Sequence, residues 1–294
     1  MEMPYVDDIS LLFDDMLPRK GGFVVMLRGF LDRGVKSDAT DSIACVVATV
    51  FKPTAYKQFV RPWERMLKRW GASAFHATDF YNGAEEFRRD SPKQKKWFEE
   101  DVRKITKIIG ENVTHVLCVA FRPDEFVAKA PTEWKENFGT DTHAIAAQLC
   151  LLINGLWLEK KKPSESFAYV QEAGDPGEGK VADAVMRLRN DRSYSAIVRV
   201  SSFNTVDKGV ARGLEASDFV AWHWNKYYMD QLRKGESKPR KDYAAFRLLT
   251  EKQGKVQSLF ITDDKLDDFF KVLEQARSDK LRQRDNSNAK SQTA

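Results

Sequence analysis

Apolar positions along this chain alternate between short strand-like runs and stretches with a helical rhythm. Residues 23–31 and 42–51 are rich in apolar and β-branched side chains, among them Ile43, Val46, Val47 and Val50, and read as strands. The polar connection between them, residues 34–41, holds no helix pattern, so the pair is expected to run antiparallel. Pro53 and Thr54 open a helix in which Tyr56, Phe59, Val60, Trp63, Met66, Leu67 and Trp70 recur at a 3.6-residue period. Ser91 before Pro92 supplies a cap and a proline at the first helical position, and Phe98, Val102, Ile105 and Ile109 continue the stripe. Residues 113–121 predict a strand. Thr140 or Asp141 then caps a helix through Leu158 that is apolar nearly all round, as a buried central helix would be. Beyond it, residues 167–171 predict a strand, 178–188 a helix, 196–201 a strand, 213–229 a helix and 262–276 a last helix.

Strands interleaved with helices imply a layered α/β domain in which helices cover a mixed sheet. Three segments are expected. Residues 1–20, with Ile9, Leu12, Phe13, Met16 and Leu17, form an amphipathic docking piece, residues 21–277 form the α/β domain, and residues 278–294 are polar enough to be a disordered tail. No Gly-x-Gly-x-x-Gly follows the first strand and no Gly-x-x-x-x-Gly-Lys occurs, which argues against dinucleotide-binding and P-loop folds.

Composition narrows the setting. The 294 residues are 42% hydrophobic, an ordinary value for a globular chain long enough to bury its own core, and at 31% somewhat rich in charge. Cys45, Cys118 and Cys150 each sit in an apolar run, well apart in sequence, as buried free thiols of a reducing compartment would. Residues 1–20 carry five acids and no basic segment ahead of an apolar one, so a signal peptide is not expected, and a cytoplasmic protein without membrane attachment is. The net charge of +5 is mild. Lysine and arginine nevertheless cluster at 61–69, 88–96, 160–162 and 233–241, and these clusters suit either a solvated helix face or a nucleic-acid partner.

Several acids are placed where chemistry could use them. Asp218 shares a helix face with Leu214, Ala221 and Trp222, so its carboxylate falls on the core-facing stripe. It must be paired there, with Arg199 or Arg212 for example, or bind a cation. Glu215, one turn earlier, could join the cluster, but solvation near the helix start is the expected reading. Glu172 ends an apolar strand before Gly174 and Gly177, a position where open α/β sheets place ligands, though a solvated loop acid would read the same. Asp175 is explained by turn chemistry. Asp32 closes the first strand, and a turn aspartate beside Arg33 is the plain alternative, with Asp38 and Asp41 competing for any role. His76 and Asp79, three residues apart in Phe75-His76-Ala77-Thr78-Asp79-Phe80, suit the orientation of a water, a phosphate or a metal-bound ligand, or a structural cap. His115, His143 and His223 read as structural. Trp222, Trp224, Tyr227 and Tyr228 suit packing or base stacking. No nucleophile elbow, His-Glu-x-x-His or Cys-x-x-Cys is present.

Together these segments resemble the domain of unknown function 3800 family, which looks like part of the ribonuclease H-like superfamily. The likeness rests on Phe30-Leu31-Asp32, Trp70-Gly71, the 75–80 segment with Gly83 and Glu86-Phe87, Tyr169-Val170-Gln171-Glu172-Ala173-Gly174, Ser202-Phe203, and Leu214-Glu215-Ala216-Ser217-Asp218-Phe219-Val220-Ala221. It implies a ribonuclease H-like mixed sheet flanked by helices, with extra C-terminal helices. It also implies that Asp32, Glu172 and Asp218 converge on Mg²⁺ or Mn²⁺, with His76 and Asp79 supporting substrate or water. The implied activity is metal-dependent hydrolysis of DNA or RNA phosphodiesters, with two ions roughly 4 Å apart. The chain departs from the family's usual pattern twice: Arg33-Gly34 follows Asp32 where Glu-Ser-Gly is usual, and Glu215 stands where glutamine is common. The first departure keeps an alternative in view, a catalytically inactive module that binds nucleic acid or protein, in a defence or mobile-element setting. A phosphohydrolase of small esters is a third reading. A homo-oligomer or a protein partner stays open with each.

Overall fold

The computed structural model describes residues 26–34, 43–139, 141–161, 164–174, 177–207, 209–234 and 255–292. Met26–Gly34 (β1), Ala44–Phe51 (β2), His115–Phe121 (β3), Ser166–Glu172 (β4), Val200–Val206 (β5) and Val256–Ile261 (β6) join in one sheet, in the order β5-β4-β1-β2-β3-β6. β1, β2 and β3 run antiparallel in succession, while β4 pairs parallel with β1, β5 with β4, and β6 with β3. The sheet is therefore mixed, and β1 and β2 pair as the short polar connection predicts. The fold is α/β and mostly helical by residue count.

Side chains alternate between two helical layers, as the two-residue period of a strand requires. Cys45, Val47 and Phe51 of β2 enter one core with α1 (Pro53–Trp70), α3 (Pro92–Asn112) and α9 (Arg212–Lys234). Ala44, Val46, Ala48 and Val50 enter the other with α6 (Thr142–Lys161) and α7 (Glu178–Asn190). The second layer also takes α4 (Pro123–Lys129), α5 (Thr132–Phe138), the four-residue α8 (Ser195–Val198) and the long α10 (Asp263–Gln292). A six-residue helix, α2 (Ala77–Asn82), lies between α1 and α3 in the chain. Cys45, Cys118 and Cys150 are buried free thiols. Among the described residues no helix is long and apolar enough to cross a membrane.

The caps read from sequence act as caps. All seven periodic residues of α1 are buried, each removal from water worth about 1.5–3 kcal/mol for the larger aliphatic and aromatic side chains. Ser91 and Gln94 form a capping box at α3. Asp141 receives the N–H groups of His143 and Ala144 at the start of α6. Asp101 of α3 is buried and accepts the Trp70 indole N–H at 2.8 Å while pairing with Arg69, which ties α3 to α1.

The structure departs from the periodicity at α8, at α4, α5 and β6, and along α10. Residues 195–198 form α8, and the strand starts only at Val200, because Arg199 turns the chain through a left-handed φ of 48°. α4, α5 and β6 carry too few residues to show a period. α10 continues through Gln292, across the segment whose composition reads as a disordered tail. Polar pairs hold that extension: Gln275 with Asp279, Arg192 with Asp285, and Lys280 with Glu159 of α6. Residues 1–20, expected to dock as a helix, lie outside the described residues.

Gly155 marks a close approach of α6 to α8. A Cβ there would stand 2.0 Å from the Ile197 carbonyl oxygen of α8. Gly155→Ala is expected to destabilise the fold by about 2 kcal/mol, within the usual range for overpacking. Denaturant unfolding measures this, and an unchanged midpoint would show that α8 is not pressed against α6.

Candidate active site

The strand register brings two of the candidate acids together. β1 and β4 pair in parallel from Met26↔Ser166 to Leu31↔Gln171, so Asp32 and Glu172 are the next residues along each strand. Residues at matching positions on neighbouring strands are roughly 4.8 Å apart. Across the other side of β1, Asp32 stands opposite Val47, which packs in the layer beneath α9. Along β4, Ala168 and Val170 enter that same layer, and Glu172 has the same parity. β1 runs to Gly34, so Asp32 lies near the end of the first strand and not in a turn, the plain alternative. Asp38, Asp41 and Asp175 lie outside the described residues.

α9 crosses this part of the sheet. Thr49 of β2, in register with Phe30, meets Ser217 with hydroxyl oxygens 2.6 Å apart and also donates to the Gly213 carbonyl at 3.3 Å. Ser217 is thus pinned above a strand position two residues from Asp32, and Asp218 follows it. The Asp218 carboxylate is half-buried and accepts the backbone N–H of Ala77 at 3.0 Å. Ala77 is the first residue of α2, so this bond joins Asp218 to the segment carrying His76 and Asp79. His76 is exposed and makes no side-chain cap, while Asp79 sits half-buried in the first turn of α2. The far end of α2 is also held by α9. Tyr81 stacks on Trp222 with ring centroids 4.1 Å apart, and its hydroxyl meets His223 Nε2 at 2.8 Å.

Glu215 is the clearest correction to the sequence reading. Expected in solvent, it is fully buried. It accepts the Trp63 indole N–H from α1 and pairs with Arg212 Nη1 at 2.7 Å. Arg212 also donates to the Ser73 carbonyl at 2.8 Å and lies 3.8 Å from Glu64, so it serves Glu215 and is not the partner that Asp218 was expected to need. Burial pushes the Glu215 carboxyl up to about 7, against the opposing pull of Arg212, the Trp63 N–H and the Phe75 backbone N–H. Its spacing of three from both Arg212 and Asp218 was the available signal, but only the tertiary partners give it meaning.

The remaining histidines serve packing. His115 is buried and stacked on Trp157 at 4.2 Å, and burial pulls its ring down to about 4. His223 is buried against Tyr81, and His143 lies in the first turn of α6. Two arginines of the basic clusters are structural: Arg69 on Asp101, and Arg89 over Phe98 while donating to the Tyr81 carbonyl at 2.8 Å. Arg88, Lys93, Lys95 and Lys96 are exposed near the start of α3, whose Phe98 packs on Phe80 of α2. A basic edge therefore adjoins the His76–Asp79 segment.

Among the described residues no three His, Cys, Asp or Glu side chains form a metal-binding group. Those residues supply Glu172 and Asp218 but not the side chain of Asp32. A cavity of about 510 Å³ along α7, lined by Glu136, Asp183, Arg187, Asp191 and Tyr194 among others, contains none of the candidate acids. Scans of the chain against protein-family models, curated proteins and solved structures found no significant match.

The raised Glu215 carboxyl gives a signed expectation. A carboxyl whose folded value lies above its ordinary 4.5 stabilises fully below 4.5, and that contribution is lost as pH rises through about 7. Relative to Glu215→Gln, the parent should lose up to about 3 kcal/mol of stability between pH 4.5 and pH 7. Thermal unfolding of both proteins across that window measures it, and a constant difference would contradict the shift.

Proposed function

We propose that the chain is a metal-dependent nuclease of the ribonuclease H-like type, hydrolysing phosphodiester bonds of DNA or RNA. The observation that carries this reading is the β1–β4 register, which gives Asp32 and Glu172 matching places on adjacent parallel strands, with Asp218 on the helix above. The mixed sheet with helices on both faces agrees with the resemblance to the domain of unknown function 3800 family.

Asp32, Glu172 and Asp218 would hold the ion. Their donor set is all carboxylate oxygen, which suits a hard divalent cation and disfavours a soft one. Bound Mg²⁺ or Mn²⁺ would supply Lewis acidity and an activated water for in-line displacement at phosphorus. Asp218 is oriented for this by the Ala77 N–H. His76, exposed one residue earlier, and Asp79, in the first turn of α2, would support substrate or its water. The exposed lysines and arginine at the start of α3 would track the phosphate backbone and make binding salt-sensitive.

The test is cleavage of single- and double-stranded DNA and RNA with Mg²⁺, Mn²⁺ or chelator. Asp218→Asn and Glu172→Gln should each lose at least about 100-fold in rate, the upper end of what outer-shell partners alone lose, with unfolding midpoints retained. Equal cleavage by parent and variants would refute the assignment. Arg33, directly after Asp32, favours a second reading, an inactive module of the same fold. Salt-sensitive binding by the parent with no turnover in either metal would support that module over the nuclease.

A further inference from the structure

α2 is six residues long, lacks a side-chain cap and is far too short to persist alone. What holds its entry is the first two turns of α9. Arg212, Glu215 and Asp218 recur every three residues along one helix face turned toward the segment leading into α2. Arg212 donates to the Ser73 carbonyl at 2.8 Å and Asp218 accepts from the Ala77 N–H at 3.0 Å, while Glu215, between them, holds Arg212. The rungs are cross-braced. Glu215 pairs with Arg212 at 2.7 Å and accepts from Trp63 of α1, so neither side chain can swing away without leaving a buried charge unpaired.

We propose that Arg212 and Glu215 are positioning residues that set His76 relative to Asp218, by fixing residues 73–77 on α9 as a two-rung ladder, Arg212 to Ser73 and Asp218 to Ala77. Arg212 touches the backbone ahead of His76, Glu215 holds Arg212 there, and both act on the site through that backbone. This inference rests on the nuclease reading for what His76 does, but the placement itself is measurable without any activity.

The experiment follows amide hydrogen exchange and the His76 ring resonances by NMR in the full chain. Parent, Glu215→Ala, Glu215→Gln, Arg212→Lys and a same-helix control, Asn225→Ala, are compared. Glu215→Ala should speed exchange at Ala77 at least tenfold relative to amides of β2 and shift the His76 ring signals. Glu215→Gln, which keeps an acceptor oxygen, should restore most of the protection. Arg212→Lys serves if Glu215→Ala does not fold, because a lysine lacks the fork that joins Ser73 to Glu215. It should speed exchange at Ala77, while Asn225→Ala should leave that amide and His76 unchanged. Unaltered exchange and ring signals in both Glu215→Ala and Arg212→Lys would overturn the ladder, as would an equal effect from Asn225→Ala. Where cleavage is measurable, the ladder predicts a fall in kcat with KM preserved in Glu215→Ala and recovery in Glu215→Gln. If the parent cleaves nothing, the nuclease reading fails while exchange and the His76 signals still decide the ladder.

Discussion

The parallel pairing of β1 with β4 is the constraint on which the candidate site rests. It joins strands that are distant in sequence, and its register fixes which residues face each other at their ends. Shifting a strand by one residue would send every side chain to the opposite face, so the register is held by the apolar layers on both sides. Ala168 and Val170 on one face and Phe167 and Tyr169 on the other leave β4 no alternative alignment that keeps both cores filled. Glu172 is carried to its position by that packing, and Asp32 follows the last residue of β1 paired with β4 as Glu172 follows that of β4.

α9 links this sheet end to the rest of the site. Its apolar residues, Leu214, Ala221 and Trp224 among them, pack on the sheet, and its Thr49–Ser217 contact sets its height above β1 and β2. Its charged residues Arg212, Glu215 and Asp218 look the other way, toward the entry of α2. A buried carboxylate such as Glu215 would be unfavourable by several kcal/mol if left unpaired. Arg212 and the Trp63 N–H offset that penalty, and Arg212 also holds the Ser73 carbonyl of a loop that has little structure of its own. Fold stability and site geometry thus draw on one set of contacts.

Much of the frame was legible from periodicity. The α1 stripe, the Ser91 cap, the buried α6 and the antiparallel β1–β2 pair all follow from residue spacing, because each is decided by contacts local in sequence. α4, α5 and β6 were not legible, since six or seven residues give no reliable period. The extension of α10 was obscured by composition: its residues are too polar to signal a core, and it is steadied by polar pairs to Arg192 and Glu159. Within the site, Asp218 stood out because a carboxylate interrupted an apolar stripe. Glu215 did not, because an acid in the first turn of a helix is usually explained by the dipole and solvent. The neighbourhood of Asp32 and Glu172 could not be read from spacing at all, since it depends on which strands pair.

One measurement bears directly on the central claim that Asp32, Glu172 and Asp218 serve a single cation site. Crystals soaked in Mn²⁺ should show an anomalous-scattering peak between β1, β4 and α9, within about 2.0–2.6 Å of carboxylate oxygens from these residues. The peak should vanish in Asp218→Asn crystals soaked identically. A peak elsewhere, or none in well-ordered crystals with the three acids turned away from one another, would contradict the account.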